Sequence, residues 1–302
     1  MSRIICVGHA ALDRIYRIDS FPPEPTKVRA LEHIESGGGM AANAAAAIAK
    51  LGGKAELWSR VGEDDAGVRI RLGLKAARVD ARYVQQFEEG RSSTSAIIVD
   101  RRGERLIVGQ RDANMPSGTQ GLPLERVKGA AAVLCDLRWL EAVRTVFARA
   151  HAEGVPTVLD ADLGAREALG EILTLTDYAI FAAPALRDLV PGVETRAQLA
   201  RVLSFGPRYA GVTMGAEGYM WSEATGADGE CPAFAVDVAD TTGAGDAFHG
   251  AFTLALVEGR PHLECARRAN AVAALKCTRL GSRAGLPTRA ELDAFLAAHP
   301  AT

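Results

Sequence analysis

Short apolar runs alternate with stretches of helical periodicity along most of the chain. A continuous apolar run bounded by turn residues is typical of a strand buried on both faces, and such strands separated by helices predict a parallel sheet that helices cover on both sides. The pattern therefore predicts an α/β fold. The predicted strands are Ile4–Val7, Ala55–Trp58, Ala131–Leu134, Val155–Leu159, Tyr178–Phe181 and Tyr209–Met214, and the predicted helices are Ala41–Leu51, Ala66–Leu74, Leu140–Ala152, Arg196–Leu203 and most of the chain from Thr241 onward.

Four other segments interrupt this pattern and alternate apolar with polar residues, as half-exposed strands do. A half-exposed strand does not fit a sheet that is covered on both faces. We therefore place these segments, within residues 12–35 and 92–112, in a small separate sheet. It would pack by one face at the carboxyl edge of the main sheet, as a lid or a dimer surface. The segments are residues 12–19, 27–35, 94–100 and 104–110.

The composition excludes several classes of protein. The chain has 302 residues with 35 basic and 37 acidic side chains, a net charge of −2, so no basic excess favours nucleic acid or an anionic membrane as a partner. No apolar run approaches the ~20 residues of a membrane helix, and the apolar N-terminal stretch turns polar at Asp13, unlike a signal peptide. Five cysteines without a C-x-x-C pair predict neither a disulfide framework nor a zinc site and favour a reducing cytoplasm.

The most specific motif is the segment Asp240–Asp246, DTTGAGD, between a predicted strand at Ala233–Val238 and a predicted helix from Ala247. Glycines at the start of a helix let backbone N–H groups converge on one point, where the helix dipole adds positive potential. This arrangement suits the charge that develops on a phosphoryl group in transfer. Asp246 would face the same point and could accept a proton from an attacking hydroxyl. The alternative is a purely structural helix start with Thr242 as N-cap.

Two further glycine-rich turns precede or follow predicted elements. In the segment Gly37–Asn43, consecutive glycines allow a ligand to approach the backbone closely, and Asn43 offers a donor and an acceptor to a sugar hydroxyl. The segment Thr213–Gly218 follows an apolar strand with a G-x-x-G turn, which would either cradle a nucleotide or connect to a hairpin. Three motifs of other phosphate- and nucleotide-binding folds do not occur in the sequence. These are the P-loop, a G-x-G-x-x-G after the first strand, and the H-R-D and D-F-G pair of protein kinases.

In this order the motifs resemble those of the PfkB family of carbohydrate kinases, with its ribokinase-like three-layer α/β/α fold. Gly38–Asn43 matches the first family motif, Asp240–Asp246 matches the second, D-T-x-G-A-G-D, and Val61–Gly67 is similar to a V-G-x-D-x-x-G segment. The resemblance covers nearly the whole chain and implies one kinase domain over residues 1–302. It implies ATP and Mg²⁺ as cofactors, a sugar substrate, and a β lid that often forms a homodimer. It also implies Asp246 as the catalytic base and an anion hole at Gly243, Ala244 and Gly245. The sugar contacts that it implies are Asp13, Gly38, Gly39 and Asn43. The ATP site that it implies consists of Thr213, Gly215, Gly218, Gly243, Gly245 and Asn270.

Within the family, strings such as Cys135–Trp139 resemble the ketohexokinase-like branch, which includes sulfofructose kinase. This likeness implies that Lys27 and Arg138 hold a sulfonate, and two cations on one tetrahedral anion are a sensible arrangement. The chain departs from that branch at Gly109, where the branch has an asparagine.

The stretch Ala182–Ala185 stands where many members of the family carry N-x-x-E. We therefore expect Mg²⁺ to be held by phosphates, waters and other acids. Asp240 and Thr242 are candidates for a monovalent-cation site, although Gly285 offers it no hydroxyl.

These observations predict an ATP-dependent kinase that phosphorylates a primary hydroxyl of a ketose-type sugar, including an anionic one such as 6-deoxy-6-sulfofructose. Three alternatives stay open: a kinase for a neutral sugar such as fructose or ribose, a nucleoside kinase of the same fold, and a regulator that binds sugar or nucleotide without catalysis. His249 lies three residues beyond Asp246, and we interpret it as a core residue rather than a catalytic one.

Overall fold

The computed structural model describes residues 3–300, which form thirteen strands in two sheets and nine α-helices. In chain order the strands are β1 (Ile4–Val7), β2 (Ala11–Arg17), β3 (Glu32–Gly38), β4 (Ala55–Gly62), β5 (Asp80–Phe87), β6 (Ser93–Val99), β7 (Arg105–Gln110), β8 (Ala132–Asp136), β9 (Thr157–Ala161), β10 (Tyr178–Ala182), β11 (Tyr209–Thr213), β12 (Tyr219–Glu223) and β13 (Asp228–Cys231). The helices are α1 (Met40–Lys50), α2 (Asp65–Ala76), α3 (Leu140–Ala152), α4 (Arg166–Leu173), α5 (Ala183–Leu189), α6 (Thr195–Leu203), α7 (Ala244–Val257), α8 (His262–Cys277) and α9 (Arg289–Ala298).

The larger sheet has nine strands in the order β13-β12-β11-β10-β9-β8-β1-β4-β5. The seven strands from β11 to β5 pair in parallel, and only β12 and β13 at one edge pair antiparallel. All four residues of β1 are buried, as the continuous apolar run requires of a strand covered on both faces. Two apolar cores, one on each side of the sheet, complete three α/β/α layers. The predicted fold class is confirmed, and all six predicted strands are present.

Helices α1 and α7 pack closely because both carry small side chains at their contact. A Cβ atom on Gly250 would lie 2.5 Å from the carbonyl oxygen of Ala44, so only glycine permits this approach. The alanine-rich sequence of α1 leaves eight consecutive residues from Ala41 to Ile48 buried. The close packing brings the first turns of the two helices, and with them the first and second glycine motifs, to the same place.

The smaller sheet has the order β3-β2-β6-β7. Strand β2 begins four residues after β1 ends, so this sheet starts at the carboxyl end of the main sheet. Ile15, Ile97 and Val99 are buried on one face, whereas every residue of the edge strand β7 is exposed. The prediction of a separate sheet that packs by one face is confirmed.

The predicted strand at Ala233–Val238 is wrong, because these residues form an extended segment without a strand partner. The edge strand β13 ends at Cys231, after which the chain leaves the sheet, and the apolar residues instead line a cavity. The sequence patterns also missed α4 and α5. Helix α5 has only seven residues and begins with Pro184 near its first position, where proline fits a helix start.

Candidate active site

The Asp240–Asp246 segment ends in the first turn of α7. Gly243 is the N-cap residue with φ 77°, a left-handed conformation that favours glycine, so the alternative of Thr242 as N-cap is wrong. The amide of Ala244 donates to the carbonyl of Thr241 at 3.2 Å. Within residues 3–300 the amides of Gly243 and Gly245 have no hydrogen-bond partner. Two of the three predicted amides are therefore available to bind an anion.

Asp246 lies beside Asn43 of the first glycine motif. Asn43 donates from Nδ2 to Oδ2 of Asp246 at 2.7 Å. The pKa of Asp246 is raised to about 7, chiefly by burial and then by the charge of Asp160, while the hydrogen bond from Asn43 acts to lower it. A carboxylate with a pKa near neutrality is suited to accept a proton from a hydroxyl at physiological pH. The geometry therefore permits general-base chemistry at this point.

Arg283 fixes the first glycine motif, Gly37–Asn43, and no sequence pattern indicates it. Its Nε atom donates to Oδ1 of Asn43 at 2.9 Å, and its Nη2 atom donates to the carbonyl of Gly38 at 2.6 Å. Burial lowers the pKa of Arg283 to about 10, and the charges of Asp13 and Asp246 oppose this shift. The residue lies in an irregular segment between α8 and α9, where a single arginine carries no recognisable motif.

Asp13 on β2 is buried next to the glycine run. A Cβ atom on Gly38 would collide with the carboxylate of Asp13, and one on Gly39, whose φ is 89°, would lie 2.5 Å from the carbonyl of His9. Because these positions are glycines, the backbone can lie against the carboxylate of Asp13. Burial raises the pKa of Asp13, while a hydrogen bond from Ser95 and the charge of Arg283 lower it. Asp13, Gly38, Gly39 and Asn43 thus meet in one place, as predicted for a sugar site.

Asp136, at the end of β8, holds the neighbouring loops next to the sugar-site residues through hydrogen bonds to their backbone amides. Its Oδ2 atom accepts from the backbone amides of His9 at 2.8 Å and Ala41 at 2.9 Å, and its Oδ1 atom accepts from the amide of Arg138 at 2.8 Å. A buried carboxylate with several amide donors is a rigid anchor. The string Cys135–Trp139 contains Asp136, but its sequence pattern does not indicate this anchoring role.

Lys27 does not line the cavity that contains Arg138. Lys27 is exposed in the connection between β2 and β3 and has no hydrogen bond or ion pair within the described residues. Arg138 donates instead to Oδ2 of Asp162 at 3.0 Å and to the carbonyl of Leu163 at 2.8 Å. A long loop separates Lys27 from the strand ends, and residue spacing along the chain does not reveal where such a loop runs.

A cavity of about 530 Å³ opens at the start of α7 and contains all the residues predicted for a nucleotide site except Gly243. Gly218 has φ 98°, and a Cβ atom there would collide with the carbonyl of Cys231. Asn270 donates from Nδ2 to the carbonyls of Cys231 at 2.9 Å and Pro232 at 3.1 Å, so it fixes one wall. The residues predicted here that line the cavity are Thr213, Gly215, Gly218, Ala244, Gly245 and Asn270.

The same cavity has an apolar end and a polar end. Phe234, Val236 and Ala273 form an apolar wall of the kind that holds a planar base, and the amide of Gly245 lies at the start of α7. Arg105 of β7, which we had not predicted, also lines this cavity and donates to the hydroxyl of Thr241. The donor set fits a nucleotide with its phosphates at the helix N-terminus.

No group of three or more His, Cys, Asp or Glu side chains that could hold a metal ion occurs in residues 3–300. Mg²⁺ bound to a nucleotide keeps phosphate and water ligands and does not need such a group. The Ala182–Ala185 stretch, at the end of β10 and the start of α5, adds no acid.

The candidate monovalent-cation site at Asp240 already contains a cation of the chain. Lys276, which is fully buried, donates from Nζ to the carbonyl of Asp240 at 2.6 Å and lies 3.5 Å from its Oδ2 atom. The carboxylate also accepts from the amides of Thr242 and Gly281, each at 2.8 Å. Burial lowers the pKa of Lys276, and the charge of Asp240 opposes this shift. The Asp240 oxygens are therefore occupied by groups of the chain itself, while the buried hydroxyl oxygen of Thr242 has no hydrogen-bond partner within residues 3–300.

His249 is buried on α7, with Nδ1 hydrogen-bonded to the carbonyl of Gly245 at 2.7 Å and Nε2 at 3.4 Å from the carbonyl of Ile180. The Nε2 atom also lies 3.4 Å from Oδ1 of the buried Asp160, and the partners of both ring nitrogens within the core favour the interpretation of a core residue. Among the described helices, none has the length and hydropathy that spanning a membrane requires.

Comparison with known proteins places these features in a family. A family model described as pfkB family carbohydrate kinase matches residues 1–289. The chain is 32% identical over 298 residues to an ATP-dependent ribose-1-phosphate kinase of Halopiger xanaduensis, with 98% of each chain covered. It is 29% identical over 302 residues to the ribokinase of Bacillus subtilis, which covers 98% of this chain and 100% of that protein.

Solved structures agree with this result. A crystal structure from Agrobacterium tumefaciens, described provisionally as a ribokinase, has a TM-score of 0.94 and 34% identity and covers 99% of this chain and 98% of its own. The Arabidopsis thaliana ribokinase, solved with ribose and ATP, has a TM-score of 0.83 and 26% identity and covers 98% of each chain. None of these four proteins is described as a member of the ketohexokinase-like branch. The chain therefore belongs to the pfkB family of carbohydrate kinases, the ATP-dependent phosphotransferases that act on a sugar hydroxyl.

Proposed function

We propose that this chain transfers the γ-phosphoryl group of ATP to the primary hydroxyl of a ribose-type sugar. The observation that carries the proposal is the hydrogen bond between Asn43 and Asp246, which joins the sugar-site residues to the start of α7. A sugar hydroxyl that binds beside Asn43 lies within reach of the Asp246 carboxylate and of the free amides of Gly243 and Gly245.

In this proposal each group has one task. Asp13 and Asn43 hold sugar hydroxyls, since a carboxylate accepts hydrogen bonds and a carboxamide both donates and accepts them. Asp246 accepts the proton of the attacking hydroxyl. The amides of Gly243 and Gly245 stabilise the charge on the phosphoryl group during transfer. ATP, when bound with Mg²⁺, supplies that phosphoryl group, and the metal neutralises part of its charge.

The nucleotide would bind in the cavity at the start of α7. Thr213 and the glycines at 215 and 218 would surround the nucleotide, and Asn270 would keep the wall formed by the chain after Cys231 in place. Phe234 and Ala273 would contact the base. This assignment is supported by the apolar character of one end of the cavity and the free amides at the other.

A ribose-type substrate is better supported than the sulfonated ketose that the sequence motifs suggest. The similar proteins are named as ribokinases and as a ribose-1-phosphate kinase. Of the two cations that would hold a sulfonate, Lys27 is exposed in a loop and Arg138 is paired with Asp162. The similar proteins' names allow either free ribose or ribose 1-phosphate as the acceptor.

The test is ADP release in the presence of ATP and Mg²⁺ with ribose, ribose 1-phosphate, fructose, tagatose, 6-deoxy-6-sulfofructose and adenosine. We expect the highest kcat/KM with one of the two ribose compounds. A preference for either ketose or for the sulfonated ketose would overturn the ribose assignment, and a preference for adenosine would make the chain a nucleoside kinase. ATP binding without turnover on any compound would favour a non-catalytic regulator.

We also propose that two copies of the chain pair through the small sheet. Leu106, Ile107 and Val108 on the edge strand β7 are 50%, 48% and 60% exposed, and an exposed apolar edge strand is a template for pairing. Light scattering on the purified protein should give the mass of a dimer, and Ile107→Glu should give a monomer. A monomeric wild-type protein would overturn this assignment.

The free cysteines of the described chain suit the reducing cytoplasm that we propose as its location.

A further inference from the structure

A second cavity, of about 490 Å³, lies beneath the small sheet and is rich in arginine. It is bounded by the ends of β1, β4 and β8 on one side and by β6, β7 and the segment after β7 on the other. Four of its eleven lining residues are arginines and one is a carboxylate, Asp112. The arginines are Arg60, Arg91, Arg111 and Arg138.

Three of the four arginines form no ion pair within residues 3–300, although the charges of Glu141 and Asp136 act on Arg60 and raise its pKa against the effect of burial. The side chains of Arg91 and Arg111 make no hydrogen bond or ion pair there. Arg60 donates only to carbonyls, those of Pro116 at 2.5 Å and Arg138 at 3.3 Å, and its guanidinium lies 4.4 Å from the ring centre of Trp139. Of the four, Arg138 forms an ion pair, with Asp162.

The single carboxylate of the lining does not neutralise the four arginines. Asp112 accepts from the backbone amides of Arg91 at 2.8 Å and Asn114 at 2.9 Å, and neither contact involves a guanidinium. Unpaired guanidinium groups in a concave site are typical of sites that bind a strongly charged anion.

His9 provides a second, independent sign of a ligand. Its Nε2 atom is buried without a hydrogen-bond partner in the described chain, and its backbone amide is fixed by Asp136. Burial lowers the pKa of His9 to about 4; the charge of Asp136 opposes this, and those of Arg138, Arg111 and Arg60 add to the lowering. The imidazole therefore stays neutral, and a buried polar atom without a partner indicates a missing partner.

The arginine cavity adjoins the proposed sugar site. Ser95 of β6 pairs in register with Asp13 on one side and with Gly109 on the other, and Gly109 lines the cavity. Asp136 accepts from His9, which lines the cavity, and from Ala41, in the first turn of α1. A sugar held by Asp13 and Asn43 thus has the base Asp246 near one end and this cavity beside it.

We propose that this arginine cavity binds a phosphate group of the acceptor, so that the substrate is a pentose phosphate with its phosphate remote from the hydroxyl that reacts. The inference rests on the proposed function and narrows its substrate. Guanidinium groups bind phosphate oxygens in bidentate pairs. A phosphate dianion offsets more of the excess charge than a sulfonate does, and a neutral sugar offsets none of it.

The reaction would yield a sugar bisphosphate. The free primary hydroxyl oxygen forms a bond to the γ-phosphorus of ATP, and the bond from that phosphorus to the bridging β-phosphate oxygen breaks. The electron pair of that bond leaves with ADP, and the hydroxyl proton passes to Asp246 and then to solvent. The phosphate in the arginine cavity takes no part in these bonds and acts only through binding.

The first experiment compares kcat/KM for ribose 1-phosphate and for ribose, with ribose 5-phosphate as the compound that lacks the free primary hydroxyl. We expect ribose 1-phosphate to exceed ribose by at least tenfold and ribose 5-phosphate to be inert. In Arg111→Gln and Arg91→Gln, whose side chains are exposed and form no hydrogen bond or ion pair within residues 3–300, the preference ratio should fall by at least tenfold. Arg201→Gln, the same charge removal on an exposed residue of α6, should leave the ratio unchanged.

Each other outcome separates the two proposals. A kcat/KM for ribose equal to or above that for ribose 1-phosphate would overturn the phosphate cavity and leave the ribose-type kinase intact. Turnover of neither compound would overturn the proposed function. In that case calorimetry on Asp246→Asn decides the cavity: at least tenfold tighter binding of ribose 1-phosphate than of ribose supports it, and equal binding overturns it.

Discussion

The Nδ2 atom of Asn43 lies 2.7 Å from the Oδ2 atom of Asp246, although 203 residues separate them in the chain. The contact exists because α1 and α7 approach closely at Gly250 and Ala44, which carry little or no side chain. It places a group suited to hold a sugar hydroxyl against one suited to take its proton.

Asp246→Asn should bind ribose-type sugars nearly as well as the wild type but lose at least ~10²-fold in kcat, because the amide cannot accept the hydroxyl proton. Steady-state kinetics gives kcat, and calorimetry gives the sugar affinity. Asp237→Asn, on an exposed residue, serves as the control. A kcat near that of the wild type in Asp246→Asn would contradict the assignment of the base.

The pH dependence of kcat/KM should show an acidic limb with a midpoint near 7, the raised pKa of Asp246. A general base acts only when ionised, so activity should fall as the pH drops below that midpoint. The donation from Asn43 lowers the pKa of Asp246, and Asn43→Ala should therefore move the limb to higher pH. A pH profile unchanged by this substitution would argue against the coupling of the two residues.

Gly38→Ala should raise KM for the sugar by an order of magnitude or more, because the added methyl group would collide with the carboxylate of Asp13. The KM for ATP should change little, since Gly38 does not line the nucleotide cavity. Gly170→Ala on α4, where a Cβ atom meets nothing within 4 Å, is the matched control. A normal sugar KM in Gly38→Ala would show that the site tolerates movement of Asp13.

Activity should not require a monovalent cation, because the Lys276 ammonium already occupies the oxygens of Asp240. Replacing K⁺ by Na⁺ or tetramethylammonium at constant ionic strength should change kcat less than twofold. Strong and specific activation by K⁺ would contradict this interpretation.

Removing the ammonium should also destabilise the fold. Lys276→Met leaves the carboxylate of Asp240 buried without its cation and should lower the free energy of unfolding by roughly 3–5 kcal/mol. The double variant with Asp240→Asn should recover part of that loss, because it removes the buried charge. Denaturant unfolding measures both effects, and a single variant as stable as the wild type would refute the importance of the pair.

Arg105→Gln should raise KM for ATP severalfold and leave sugar binding nearly unchanged. Arg105 reaches from β7 to the hydroxyl of Thr241 and lines the nucleotide cavity, so its charge lies where the phosphates would bind. Arg101→Gln, on an exposed residue in the preceding turn, tests whether any charge removal near the small sheet has the same effect. Equal effects of the two substitutions would make the role of Arg105 nonspecific.

The amino-acid sequence by itself determined the elements and the motifs. Burial on both faces requires continuous apolar strands, and one-sided burial requires alternation, so the small sheet and six of the nine strands of the main sheet were predictable from local pattern, whereas β5, β12 and β13 were not predicted. The glycine motifs before α1 and α7 were recognisable because turns at helix starts need glycine at particular positions, as Gly39 and Gly243 do with φ 89° and 77°. Such requirements are local, so the neighbouring residues in the sequence reveal them.

Only the tertiary structure decided which charged side chains meet. Arg283 reaches Asn43 across 240 residues, and Arg60, Arg111 and Arg138 converge because strand order brings distant strand ends together. Lys27 was predicted beside Arg138 and instead lies exposed in a loop. A charged residue has no periodicity that reveals its partner, because its position depends on the path of every element between them. The sequence therefore determines where the chain can bind an anion, and the fold determines which residues bind it.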